Sequence, residues 1–127
     1  MSETPKLPVG EFSWNELLTQ DVAEATTFYS KLFGWSTEPF GPGGEYSIWK
    51  AGSTQVGGLM KMPAPDVPSH WLAYVTVADC DATLKRATEV GGKVCVPAMD
   101  VPTVGRIGVI QDPQGAMIGV FQPLKVC

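Results

Sequence analysis

The segment FSWNELLT at positions 12–19 alternates with the period of a strand and sets Trp14 and Glu16 on one face with Phe12 and Leu18. A carboxylate on a face meant for burial must be paired, hydrated or protonated, because an unpartnered charge in an apolar site costs several kcal/mol. Arg106 or a wet cavity would satisfy it. Desolvated beside Trp14, Glu16 would have its pKa raised toward neutrality, which makes it a candidate general base. The single histidine, His70, follows the Pro-rich stretch MPAPDVPS; the plain expectation is a strand-start residue hydrogen-bonded to backbone, the sharper one a ligand or acid-base group. Lys50 and Arg106 would select an anionic ligand if they face a site and are otherwise solvated. Cys80, Cys95 and Cys127 are an odd set without CxxC or CxxxC spacing, so reduced core, turn or tail thiols are expected in place of a disulfide framework or zinc knuckle.

These groups must be positioned by a chain of 127 residues, the size of one compact domain with a real core. Hydrophobic residues make up 44% and charged residues 17%, and 14 glycines with 11 prolines imply many turns without reaching a disordered composition. A net charge of −4 offers no basic stripe to neutralise phosphates, so nucleic acid is not an expected partner, nor is an anionic membrane. No apolar run approaches the roughly 20 residues a spanning helix needs, and MSETPKLPVGEF lacks the pattern of a secretory signal. Cytoplasmic residence is the expectation.

After strand 13–19, Asp21 reads as the N-cap of a helix whose apolar residues Val22, Ala25, Phe28, Tyr29, Leu32 and Phe33 recur at helical spacing, ended by Gly34. Extended segments follow at 35–40, 46–51 and 55–62, with GPGG (41–44) as a turn and 62–69 as a linker. The order then restarts: a strand at 71–77, a helix from about 81 to 90 capped by Asp79 and stopped at Gly91-Gly92, and strands at 93–96, 106–111 and 116–121, the last two joined by DPQG. The shift that carries Asp21 onto Asp79 also carries Gly34 onto Gly92 and Leu17 onto Val75. The fold class expected is therefore α+β: one domain over 1–127 built of two βαβββ modules, about 10–62 and 70–123, joined by the linker 63–69. Each half is marginal alone. Each helix should pack on the outer face of its own sheet, the other faces curving as a mixed, largely antiparallel sheet around a central cavity.

Two such halves, with NELLTQDVAEATTFYSKLFGW, HWLAYVTVADCDATLKRATEVGGKV and VGRIGVIQDPQGAMIGVFQP, resemble the vicinal oxygen chelate superfamily, which holds glyoxalase I, bleomycin-resistance proteins and extradiol dioxygenases. The likeness runs over residues 12–123. It implies four metal-ligand positions on the first and last strands of the halves, which fall here on Trp14, Leu72, Gly119 and Gly58 or, with a two-residue slip, Met60. None of these offers the oxygen or imidazole nitrogen a divalent ion requires. The expectation is no cofactor and no metal site, and with it the loss of the Lewis-acid chemistry such an ion supplies. Glu16 and His70 each lie two residues from such a position, so the alternative is a displaced acid-base pair or a two-ligand divalent-metal site.

If the face bearing Trp14 and Glu16 lines a partly hydrated pocket, then Trp14, Glu16, Trp49, Met60, Leu72, Tyr74, Arg106, Met117 and Phe121 are its ligand-binding candidates, with Tyr46 a further wall residue; strand alternation forbids Tyr46 and Trp49 together. Three functions follow. The first is a metal-free binder of a small aromatic or planar molecule, of the bleomycin-resistance kind. The second is a lyase or dioxygenase of the same superfamily with a displaced site, and the third a dimerisation module. The resemblance also implies a homodimer.

Overall fold

The computed structural model describes residues 9–41 and 43–124, which form two compact units, Trp14–Leu72 on one side of the division and, on the other, the residues up to Ser13 with those from Ala73 onward. Among the described residues there are eight strands and two helices, an α+β fold. The expected turn at Pro42 and the position of Cys127 lie outside the described residues.

The first unit holds most of β1 (Phe12–Thr19), then α1 (Val22–Phe33), β2 (Ser36–Phe40), β3 (Tyr46–Ala51) and β4 (Thr54–Lys61), with the start of β5 (His70–Thr76). Its strands run in the order β2-β3-β4-β1, antiparallel except for the parallel β4–β1 pair. The crossover through α1 begins where Asp21, in extended backbone, accepts from the Glu24 N–H at 3.0 Å. It ends at Gly34, whose φ of 74° and N–H bond to Ser30 O close the last turn as only a residue without Cβ does cheaply. Leu17, Trp49 and Leu59 form the core, with Val22, Ala25, Tyr29, Trp35 and Val56 packed against it. The 62–69 segment is tied to this unit: Gln20 Nε2 donates to the carbonyls of Ala64 and Val67 (3.0 and 2.7 Å), and the Gln20 N–H donates to Ser69 Oγ.

The second unit holds the rest of β5, α2 (Cys80–Glu89), β6 (Lys93–Val101), β7 (Gly105–Gln111) and β8 (Met117–Pro123), in the order β5-β8-β7-β6 with β5–β8 parallel. Residues 10 and 11 join it through backbone bonds to Thr76. Asp79 caps α2 by accepting from the Ala82 N–H at 3.0 Å, and Cys80, Leu84 and Val120 form the core under it. In the DPQG turn, Asp112 Oδ1 accepts from the N–H groups of Gln114 and Ala116, both at 2.9 Å.

Two expectations need correction. The helix of the second half stops at Gly91-Gly92 as expected, but the glycine in the left-handed region is Gly91, with φ of 100°, so the shift that carries Gly34 onto Gly92 slips by one residue there. The strand expected at 93–96 continues to Val101 through Pro97. Its pairing with β7 is irregular on both sides of Val96, and β6 is the last strand of its unit, where a proline leaves no ladder bond unmade.

Candidate binding face of the first unit

Leu17 faces α1, so the alternate residues Trp14, Glu16 and Leu18 lie on the opposite side of β1. Register places Glu16 level with Gly58 and Ile48, and Leu18 level with Met60 and Tyr46. Trp14 Nε1 donates to Tyr46 Oη at 3.0 Å, and the Tyr46 hydroxyl is hydrogen-bonded in turn to the Glu16 carboxylate. Glu16 is only 7% exposed. An indole, a phenol and a carboxylate thus form a chain of polar groups on this face, which answers how a buried glutamate is tolerated.

The phenol responds to this setting. Burial first, then the negative charge of Glu16, drive the Tyr46 pKa far above the usual phenol range; the Trp14 bond opposes them, and the bond to Glu16 adds a lesser rise. A group whose folded pKa is raised gives stability that is complete below its unfolded pKa of about 10 and is lost as pH rises beyond it. Alkaline unfolding should therefore be shallower in Tyr46→Phe than in the wild-type chain when denaturant midpoints are compared from pH 9 upward. Parallel slopes in the two proteins would contradict the burial of this hydroxyl.

Of the two aromatic candidates on β3, Tyr46 lies on the Glu16 face. Trp49 lies on the other: it is fully buried against Tyr29 and Trp35, with ring centroids at 5.6 and 5.4 Å. As a wall residue it is corrected to a core residue, because it shares the helix-facing side with Leu17 and Leu59. His70 takes the plainer of its two roles, its Nδ1 lying 2.9 Å from Pro68 O at the head of β5. Lys50 pairs with Glu38 at 3.7 Å. Leu72 is buried.

In the second unit Tyr74 stands level with Gly119, and Phe121 level with Thr76 and Ile107, so Tyr74, Phe121 and Met117 share the face turned from α2. Met117 is half-exposed, its sulfur 3.6 Å from Cys95 Sγ. Arg106 is on the helix side, where it grips Asp81 with two nitrogens (2.8 and 3.1 Å) and Asp100 with a third (2.9 Å). The guanidinium holds the Asp81 carboxyl below its usual range. Arg106 is thereby corrected as the partner of Glu16 and as an anion selector: its donors are spent on two carboxylates of its own unit. Burial raises the Cys80 thiol pKa, the opposite of what a nucleophile needs.

The positions to which the sequence resemblance assigns metal ligands are filled in a particular way. A Cβ on Gly58 would overlap the Tyr46 hydroxyl, and a Cβ on Gly119 would overlap the Tyr74 ring, whose Cγ would stand at 2.8 Å. Each glycine is thus the floor beneath a tyrosine, and a glutamate at either would require that tyrosine to move. Among the described residues no three His, Cys, Asp or Glu side chains converge as a metal would require. What sequence reasoning missed is that Tyr46 joins Trp14 to Glu16. The available signal was the level pairing of an aromatic strand with a glycine-containing one.

Comparison with known proteins agrees with this architecture. Residues 11–120 match the model of the Glyoxalase/Bleomycin resistance protein/Dioxygenase superfamily, and the chain belongs to that family. Among curated relatives, it is 43% identical over 116 residues to the putative glyoxylase CFP32 of Mycobacterium tuberculosis and 35% identical over 115 residues to the anthracycline biosynthesis protein DnrV of Streptomyces peucetius. These matches take in 90% and 89% of the chain but only 44% and 42% of the relatives, so the chain spans less than half the length of either. Among solved structures, methylmalonyl-CoA epimerase from Mycobacterium tuberculosis superposes with a TM-score of 0.62 at 16% identity, covering 91% of this chain and 89% of that one. The Mn(II)-bound glyoxalase from Novosphingobium aromaticivorans gives 0.59 at 16% identity, covering 94% and 42%. Both share the fold. No helix among the described residues is long and apolar enough to cross a membrane.

Proposed function

We propose that the chain binds a small aromatic or otherwise planar molecule without a divalent ion, using the face that carries Trp14, Glu16 and Tyr46. The observation that supports this reading most is the replacement of chelating groups by glycines with tyrosine rings seated over them at 58 and 119. Trp14 offers a stacking surface, and the Tyr46–Glu16 pair offers polar atoms that fix orientation. The chain would act on its ligand by sequestering it, and a second copy of the chain is a further partner.

Tryptophan fluorescence titrated with a panel of planar aromatic compounds tests the reading. At least one compound should give a saturable change in the wild-type chain that is reduced in Trp14→Phe; silence across the panel would count against binding. Protein purified without chelator should carry no near-stoichiometric nickel, zinc, iron or manganese by elemental analysis, and a tightly held ion would overturn the metal-free part.

One observation favours a second reading, an enzyme of the kind the name of the mycobacterial relative suggests. Buried Glu16, hydrogen-bonded to a phenol, is a carboxylate placed to take a proton. Turnover of a hemithioacetal or catechol that disappears in Glu16→Gln would establish it.

A further inference from the structure

Helix α1 is apolar in composition, yet none of its twelve residues is fully buried. Its core side is set by Val22, Ala25 and Tyr29. Beside that stripe Phe28 and Leu32, one turn apart, are 56% and 57% exposed and lie together on one flank of the helix. Glu24 lies one turn before Phe28 and Lys31 just under one turn after it, both exposed, and among the described residues neither enters an ion pair.

This arrangement is complementary to itself. If two copies of α1 pack antiparallel about a two-fold axis between Thr27 and Phe28, the residue about one turn before the axis on one helix falls opposite the residue about one turn after it on the other. Glu24 of each copy is then next to Lys31 of the other, while Phe28 and Leu32 are covered. An acidic or a basic partner would satisfy only one of these charges; a second copy of the chain satisfies both, twice.

We infer that the Phe28–Leu32 flank of α1 is a self-association surface on which a second copy of this chain docks antiparallel, with reciprocal Glu24–Lys31 pairs. The inference rests on the proposal that the chain pairs with itself and specifies where.

Sedimentation velocity of the intact chain over a range of micromolar concentrations tests it. The wild type should sediment as a concentration-dependent dimer and Phe28→Asp as a monomer with an unchanged circular dichroism spectrum, as expected for an exposed site. Glu24→Lys and Lys31→Glu singly should each weaken the dimer about tenfold, since each places like charges together at two symmetric points. The double exchange should restore it. A wild-type monomer at every concentration would overturn both the self-pairing proposal and this surface. A dimer indifferent to Phe28→Asp, or single reversals that the double exchange fails to rescue, would overturn the surface alone.

Discussion

Gly119→Glu, the substitution that would install a carboxylate where metal-dependent relatives carry one, should destabilise the chain by about 3 kcal/mol, lowering the melting temperature by roughly 10 °C. The cause is steric. The first added carbon already meets the Tyr74 ring, and Tyr74, only 4% exposed, has little room to swing away. Gly119→Ala should therefore carry most of the loss, which separates overlap from the cost of a buried charge. Manganese or nickel should leave the melting temperature of Gly119→Glu where it was. A rise of several degrees on adding either ion would mean that the tyrosine yields and that the chelate is latent here, which would remove the main support for a metal-free function.

Trp49→Ala should have the larger effect, a loss of about 3–5 kcal/mol, out of a total stability that for a domain is about 5–15 kcal/mol. Trp49 is the largest fully buried side chain. It touches Tyr29 and Trp35, which themselves pack on Trp71 and Phe33, so its removal leaves a cavity beneath an aromatic cluster that rigid rings refill poorly. Trp49→Phe should cost much less. The indole Nε1 has no hydrogen-bond partner among the described residues, so phenylalanine removes an unsatisfied donor while keeping much of the packing. Urea midpoints at constant slope measure both changes, and a Trp49→Ala chain within 1 kcal/mol of wild type, about the cost of an ordinary point mutation, would place this residue outside the core.

The readings that survived contact with the structure are those whose cause is local. Asp21 and Asp79 cap helices because a short carboxylate in extended backbone reaches the N–H three residues on, a distance set by covalent geometry. Gly34 ends α1 because only glycine enters the left-handed region without cost. The readings that failed concern partner choice. Arg106 looked free to meet Glu16, but Asp81 and Asp100 reach it first, one from α2 and the other from the neighbouring strand. Trp49 looked equal to Tyr46 as a wall residue. Alternation showed that both could not face the same way, but which of them faced the core depended on the strand's partners: Ile48 level with Gly58, Tyr46 level with Met60, and a bulge after Trp49.

The sequence by itself determined the order of elements, their caps and turns, and the family. These follow from residue type and spacing along one chain. Only the tertiary structure decided that the glycines at 58 and 119 are occupied from above by tyrosines, and that Glu16 is held by Tyr46. Such facts depend on which strands lie side by side and in what register, since a shift of one residue would turn every one of these side chains to the other face.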